Sequence, residues 1–275
     1  MAPGTSVLGT FIEQARSLAV LSGAGVSTAS GIPDYRDRNG YWKHSQPIQY
    51  GDFMRSADAR RRYWSRSYVG WQRFAAAEPN AAHYAIARLE EGGKIDTVIT
   101  QNVDGLHAGA GSRAVIDLHG DLGKVRCMAC GVVTGRDEFQ AELAAKNPGW
   151  SAEALGCRAD GDVELPEDAA AEFRVAGCKA CGGIVKPDVV MFGEAVPKLR
   201  VESAMAAVDR ADALLVVGTS LMVFSGFRFA RRASEAGKAI AIINRGRTRA
   251  DAMATLKVDD DCSTVLPAAV AAAIT

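Results

Sequence analysis

The chain has 275 residues, with 32 Lys+Arg against 32 Asp+Glu, 48% hydrophobic residues and six cysteines. That length accommodates one large or two smaller domains, and the composition excludes wholesale disorder. Zero net charge leaves no electrostatic footprint for nucleic acid or an anionic membrane, no apolar run nears the roughly 20 residues that span a bilayer, and no secretory or transit signal is evident, so a cytoplasmic protein is expected whose cysteines serve as metal ligands or free thiols.

Apolar runs alternate with helix-like stretches, which predicts an α/β fold with a parallel sheet. Residues 18–21 read as a buried strand that runs directly into Ser22-Gly23-Ala24-Gly25. Residues 36–79, rich in Arg and aromatics, read as helices and a long loop. Residues 80–91 have helical spacing and stop at Gly92-Gly93, and 95–100 and 115–118 are the next strands. Residues 124–187 carry five of the six cysteines and few long apolar runs, so a metal is expected to staple them in place of a core. Strands are then predicted at 189–192, 213–217 and 240–243, the last two ending at Gly218-Thr219-Ser220 and Asn244-Arg245-Gly246. Open α/β sheets collect ligands at such strand ends.

Three groups of residues carry chemistry. Cys127-x-x-Cys130 and Cys178-x-x-Cys181, each followed by Gly, suit one tetrahedral zinc held by four thiolates with no open position, although the 47-residue gap between the pairs is long for a zinc ribbon. Cys157 and Cys262 are left as unligated thiols. Gly23-Ala24-Gly25-Val26-Ser27-Thr28 follows a strand as a dinucleotide-binding turn does, with pyrophosphate expected at a helix N-terminus. Thr28 stands where the third glycine of that fingerprint belongs, so a plain structural turn is an equal alternative. Thr100-Gln101-Asn102-Val103-Asp104-Gly105-Leu106-His107 sets amide and carboxylate groups at a strand end, suited to ribose hydroxyls or a carboxamide. His119, in Asp117-Leu118-His119-Gly120, is either a structural histidine or a general base.

Taken together these motifs resemble the sirtuins, NAD-dependent protein deacylases. The resemblance also draws on Ala29-Ser30-Gly31-Ile32-Pro33-Asp34-Tyr35-Arg36, Lys186-Pro187-Asp188-Val189-Val190-Met191-Phe192-Gly193-Glu194 and Gly218-Thr219-Ser220-Leu221. It runs in family order from about residue 15 to 266. Tyr35, the long gap between cysteine pairs, residues 147–154 within it and the stretches 223–229 and 243–246 are similar to class II sirtuins, the branch of the animal mitochondrial sirtuin 4. The absence of a transit peptide and the alanine richness suggest a bacterial member.

The resemblance implies a Rossmann-like NAD-binding domain (1–35, 81–122 and 187–275), a cofactor-loop and helical module (36–80) and a four-cysteine zinc-binding module (123–186). It implies that Gly23, Ala24, Gly25, Ser27, Thr28, Gly218, Thr219 and Ser220 face the phosphates of NAD, with Asn244, Arg245, Gly246 and Cys262 at the adenosine half. Ile32, Pro33, Asp34, Tyr35 and Arg36 would begin the cofactor loop, Asn102 and Asp104 would join Ile32 around nicotinamide, and Gln101 would meet the ribose. The acyl-lysine carbonyl oxygen would attack the ribose carbon as nicotinamide leaves, and His119 would act as general base on the ribose hydroxyls, giving free lysine and O-acyl-ADP-ribose. Val190, Phe192, Gly193 and Glu194, with Met222 and Val223, would flank the substrate peptide as an added strand.

Tyr63-x-x-Arg66 falls where acidic-acyl sirtuins carry Tyr-x-x-Arg, so phenol and guanidinium would together receive an acyl carboxylate, or Arg66 is one more charge on a solvated face. Residues 55–73 hold six Arg against Asp58, while 137–172 hold ten acidic residues against Lys146 and Arg158 and read as solvated surface. Partners are expected to be acyl-lysine proteins, with no nucleic acid or membrane, and a monomer would suffice. A protein mono-ADP-ribosyltransferase using the same NAD site is the alternative activity.

Overall fold

The computed structural model describes residues 3–43, 47–166 and 168–273. The outermost ends of the expected NAD-binding domain and Glu167 of the acidic stretch lie outside the described residues. The elements are α1 Pro3–Gln14, β1 Leu18–Ser22, α2 Tyr50–Arg55, α3 Ala57–Ala75, α4 Ala81–Glu91, β2 Ile95–Thr100, α5 Leu106–Gly109, β3 Val115–Asp117, β4 Gly120–Cys127, β5 Val133–Gly135 and α6 Arg136–Lys146. They continue with β6 Gly156–Cys157, β7 Val163–Glu164, β8 Val185–Val189, α7 Lys198–Arg210, β9 Ala213–Val217, α8 Phe224–Glu235, β10 Ala239–Ile243, β11 Leu256–Val258 and α9 Cys262–Ala273.

Six parallel strands form the main sheet in the order β11-β10-β9-β1-β2-β3, a doubly wound Rossmann-like arrangement. Strand side chains alternate between faces, and both faces are covered. Leu18, Val20, Leu215, Val217 and Ile243 pack with α1, α4 and α9 on one side. Ala19, Leu21, Leu214, Val216 and Ile242 pack with α7 and α8 on the other. Strand order reverses between β1 and β9, which opens a crevice at their carboxyl ends. Asn80 caps α4, its side chain accepting from the Ala82 N–H at 2.9 Å, so helix 81–91 begins where the spacing predicts.

Beside this sheet, β4 pairs antiparallel with β8 and with β5. The strand predicted at 189–192 lies earlier: Val185–Val189 pairs with β4, and beyond it the chain is irregular apart from a bridge between Phe192 and Gln49. The cysteine-rich region also has a core. Phe139, Leu143 and Phe173 cluster with Phe53, Tyr63 and Trp64 of α2 and α3, so a metal supplements packing here and does not replace it. Arg136 is buried in that layer, its guanidinium 5.3 Å from the Trp64 ring and 4.9 Å from the Trp71 ring, and it donates to the Ser67 carbonyl at 3.3 Å. No helix among the described residues is long and apolar enough to cross a membrane.

Candidate active site

The two turns at the switch point pack backbone against backbone. The Gly25 N–H donates to the Gly218 carbonyl at 2.8 Å, and a Cβ on Gly25 would stand 2.8 Å from that oxygen. Gly218 has φ +60°, and a Cβ there would stand 2.3 Å from the Val26 nitrogen, so both positions need glycine. No α-helix follows the turn. Two 3-10 turns, Ala24–Val26 and Thr28–Ser30, replace the expected helix N-terminus, and Gly31 at φ +83° with Pro33 beyond it ends the second.

A cavity of about 570 Å³ opens from this crevice towards α3 and β8. Gly23, Ala24, Gly25 and Ser27 line it with Gly218, Thr219 and Ser220, and Asn244 and Arg245 close one end. Ile32, Asp34, Tyr35 and Arg36 enter from the cofactor loop, and Gln101, Asn102, Asp104 and His119 from the ends of β2 and β3. Val190, Phe192, Gly193 and Glu194 line it together with Met222 and Val223, and so does Tyr63 of α3. Thr28, Pro33, Gly246, Cys262 and Arg66 do not line it. Thr28 Oγ1 instead donates to the Gly25 carbonyl at 3.0 Å, and buried Cys262 donates its thiol to the same carbonyl at 3.5 Å, so both brace the turn from behind.

Asn102 Nδ2 donates to Ser27 Oγ at 3.0 Å, and Ser27 Oγ donates to Asp104 Oδ2 at 2.7 Å, a polar chain joining the β1 turn to the β2 end. Gln101 Nε2 donates to the Ser22 carbonyl at 3.1 Å and to Thr219 Oγ1 at 3.0 Å, so this amide ties the two switch-point turns together. His107, from the same motif, points away: its ring is buried against His83, with Ser22 Oγ 2.8 Å from Nε2.

His119 is held at both nitrogens. Nδ1 is 2.9 Å from the Gln101 carbonyl, which can only accept, so Nδ1 carries the proton. Nε2 keeps its lone pair and accepts from Ser225 Oγ at 2.9 Å. Burial pulls the His119 pKa down to about 4 against a partial opposing pull from the Gln101 carbonyl, so the ring is neutral at pH 7. On the wall of the same cavity, Tyr35, Trp42 and Phe192 meet edge to face at 5.5–6.0 Å, with the Arg36 guanidinium 4.1 Å above Trp42.

The Tyr63/Arg66 expectation is corrected. Tyr63 packs edge-on against Phe53 and Trp64, and Arg66 Nη2 is 2.7 Å from Asp162, whose side chain is 2% exposed. The guanidinium is already engaged by Asp162 and lies off the cavity, so it is not a free receptor for an acyl carboxylate. The wider basic patch is likewise engaged: Arg60 donates to the Phe53 carbonyl at 2.8 Å, Arg61 pairs with Asp58, and Arg73 donates to Cys157 Sγ at 3.1 Å.

The reading of 137–172 as solvated surface holds for exposed Asp137, Glu138, Glu153, Asp168 and Glu172 but not for Asp160 and Asp162. β6 and β7 form a hairpin whose tip places Ala159, Asp160 and Asp162 on the cavity wall beside Tyr35 and Tyr63. Burial, with Asp160 adjacent, pushes the Asp162 carboxyl well up despite Arg66. Asp160-Gly161-Asp162 between two apolar-flanked stretches is a legible hairpin signal that the acidic composition obscured.

At the other end of β4, the sulfurs of Cys127, Cys130, Cys178 and Cys181 all lie within 4.8 Å of one another. Cys127 to Cys181 is 3.5 Å and Cys130 to Cys178 is 3.8 Å, against an edge of roughly 3.8 Å for a tetrahedron of 2.3 Å zinc–sulfur bonds. A Cβ on Gly183 would stand 3.1 Å and 3.2 Å from two of the sulfurs, so glycine makes room for the cluster. Four thiols positioned this way hold a zinc ion.

The Sir2 family model matches residues 23–225. The chain belongs to the Sir2 family. It is 54% identical over 256 residues to the NAD-dependent protein deacetylase of Xanthomonas campestris pv. campestris strain 8004, covering 93% of this chain and 87% of that protein. It is also 54% identical over 256 residues to the NAD-dependent protein deacetylase of Bordetella bronchiseptica, covering 93% of each. Among solved Sir2 structures, one described under the mechanism and regulation of Sir2 enzymes superposes with TM-score 0.77 at 31% identity, covering 100% of this chain and 99% of that one. A Sir2–p53 peptide–NAD+ complex superposes with TM-score 0.74 at 29% identity, covering 94% and 93%.

Proposed function

We propose that this Sir2 protein removes acyl groups from protein lysine side chains, consuming NAD and releasing nicotinamide and O-acyl-ADP-ribose. The observation that carries this reading is the state of His119: a half-buried, neutral imidazole with a fixed tautomer, its Nε2 lone pair held by the Ser225 hydroxyl alone, in one cavity with the switch-point turns. NAD supplies the electrophilic ribose carbon and the nicotinamide leaving group.

In this reading the turns at 23–25 and 218–220 take the phosphates, and Asn244 and Arg245 the adenosine half. The Asn102–Ser27–Asp104 chain orients nicotinamide beside Ile32, and its carboxylate favours positive charge building on the ribose. His119 Nε2 exchanges its Ser225 partner for a ribose hydroxyl and takes that proton. Tyr35, Trp42 and Phe192 keep water from the reacting carbon. The substrate strand lies between 190–194 and 222–223.

A neutral acyl group such as acetyl is the better fit, because Asp160 and Asp162 border the cavity while Arg66 is spent on Asp162. We further place the chain in class II, on Tyr35 and the 47 residues between its cysteine pairs, which carry the inserted hairpin. A cytoplasmic, monomeric enzyme without nucleic-acid partners accords with the reduced thiols a zinc site requires and with zero net charge. Incubation with acetyl-lysine peptide and labelled NAD tests the activity: label appearing in O-acetyl-ADP-ribose supports it, and label retained on protein would favour ADP-ribosyl transfer.

A further inference from the structure

Beside the cavity, the start of α8 carries a cationic cluster that adjoins the lining through Phe224 and Arg228. Phe224, at the start of that helix, is 45% exposed, next to Val223 at 37%. Three guanidiniums surround its ring: Arg228 at 5.1 Å, Arg231 at 5.5 Å and Arg249 at 6.0 Å from the centroid. Arg249 also stands 4.2 Å over Phe227. Arg231 has a carboxylate neighbour, Glu235 at 3.4 Å, whereas among the described residues Arg228 and Arg249 have no ion-pair partner, and Arg228 Nε is buried without a hydrogen bond. A cation over an aromatic face keeps its in-plane N–H donors free for a carboxylate.

The cluster sits where a substrate would emerge. Arg228 lines the cavity together with Ser225, whose hydroxyl is 2.9 Å from His119 Nε2. We infer that this rim recognises acidic residues flanking the acyl-lysine, so that the substrate class is acyl-lysine within acidic protein segments. This rests on the deacylase reading, including the substrate strand against 222–223, and gives that strand a charge preference.

Acetyl-lysine peptides flanked by Glu, by Ala or by Lys test it through two readouts, binding by fluorescence anisotropy and turnover by nicotinamide release. At low ionic strength the Glu peptide is expected to bind about fivefold tighter than the Ala peptide, the size of two exposed ion pairs, with kcat/KM rising in parallel. At about 0.5 M salt the advantage shrinks below about twofold. The double variant R231E/R249E is expected to reverse the order in favour of the Lys peptide and leave the Ala peptide unchanged. Equal binding of Glu and Ala peptides, or a Glu advantage that survives charge reversal, overturns the inference while leaving deacylation intact. A Glu preference in binding with no turnover of any peptide would instead sink the deacylase reading and keep the acidic-peptide surface.

Discussion

Arg66→Ala tests whether α3 reads the acyl group or holds the hairpin in place. Breaking a buried ion pair by removing one partner costs roughly 3–5 kcal/mol, because a charge is left without compensation. Arg66 is 21% exposed against 2% for Asp162, and Arg158 also acts on that carboxylate, so about 2–3 kcal/mol is the expected loss where Asp162 is ionised. For a chain of this size that lowers Tm by roughly 4–10 °C. The loss should depend on pH. Asp162 is already pushed up by burial, so its ionised form weighs against the fold as pH rises through the folded pKa, and without Arg66 that pKa rises further. The Tm deficit is therefore largest at the alkaline end of the range and narrows as pH is lowered. Adding Asp162→Asn removes the stranded charge and should recover most of the loss. Calorimetry across this range, beside turnover of acetyl- and succinyl-lysine peptides, decides the matter. An unchanged Tm at every pH with a selective loss of succinyl turnover would refute the reasoning and return Arg66 to the acyl pocket.

Metal analysis should find one zinc per chain, and Cys178→Ser should lower the content and melt the protein earlier, since the ion joins segments 47 residues apart; a metal-free parent protein of equal stability would contradict this. With the His119 pKa pulled down to about 4, kcat/KM should stay flat from about pH 8 to 6 and fall only below about 5, because the neutral form is the base; a midpoint near 6.5 would show that burial does not govern it. Gly70→Ala puts a Cβ 2.2 Å from the Gly161 carbonyl and should cost about 1–3 kcal/mol in denaturant unfolding, while Gly92→Ala, whose nearest contact is 3.4 Å, should change little.

Much of the sheet was legible because its strands are short apolar runs that end in polar glycine turns, and their length and flanking glycines separate them from helices. Residues 95–100 and 213–217 fall where the pattern puts them. Val189–Phe192 misled because its apolar residues serve a cavity wall, while the strand before it carries Lys186, Pro187 and Asp188. Lys186 is tolerated there because its Nζ pairs with Glu194 at 3.0 Å, a contact eight residues away that no local pattern announces. At the site, chemistry-bearing types at strand ends could be picked out one by one. Ser225 could not, because a lone serine at a helix start normally reads as a cap, and only the fold brings it to His119.

The arginines of α3 make the same point with more at stake. Arg66, Gly70, Arg73 and Phe74 are spaced i, i+4, i+7 and i+8, one face of a helix. Each meets the hairpin: Arg66 the Asp162 carboxylate, Gly70 the Gly161 carbonyl, Arg73 the Cys157 sulfur, and Phe74 the Gly161 backbone, where a Cβ would come within 2.9 Å of its ring. Gly161 has φ +69°, so its lack of a side chain serves both the turn and this close approach. A patch that composition presents as surplus positive charge is thus, on this face, the clamp for an inserted loop. The reacting groups stand on strand ends fixed by the sheet, while the far wall of the cavity is a hairpin whose position depends on one helix face. Substitutions on that face should therefore alter acyl selectivity and stability together, and leave the His119 tautomer as it is.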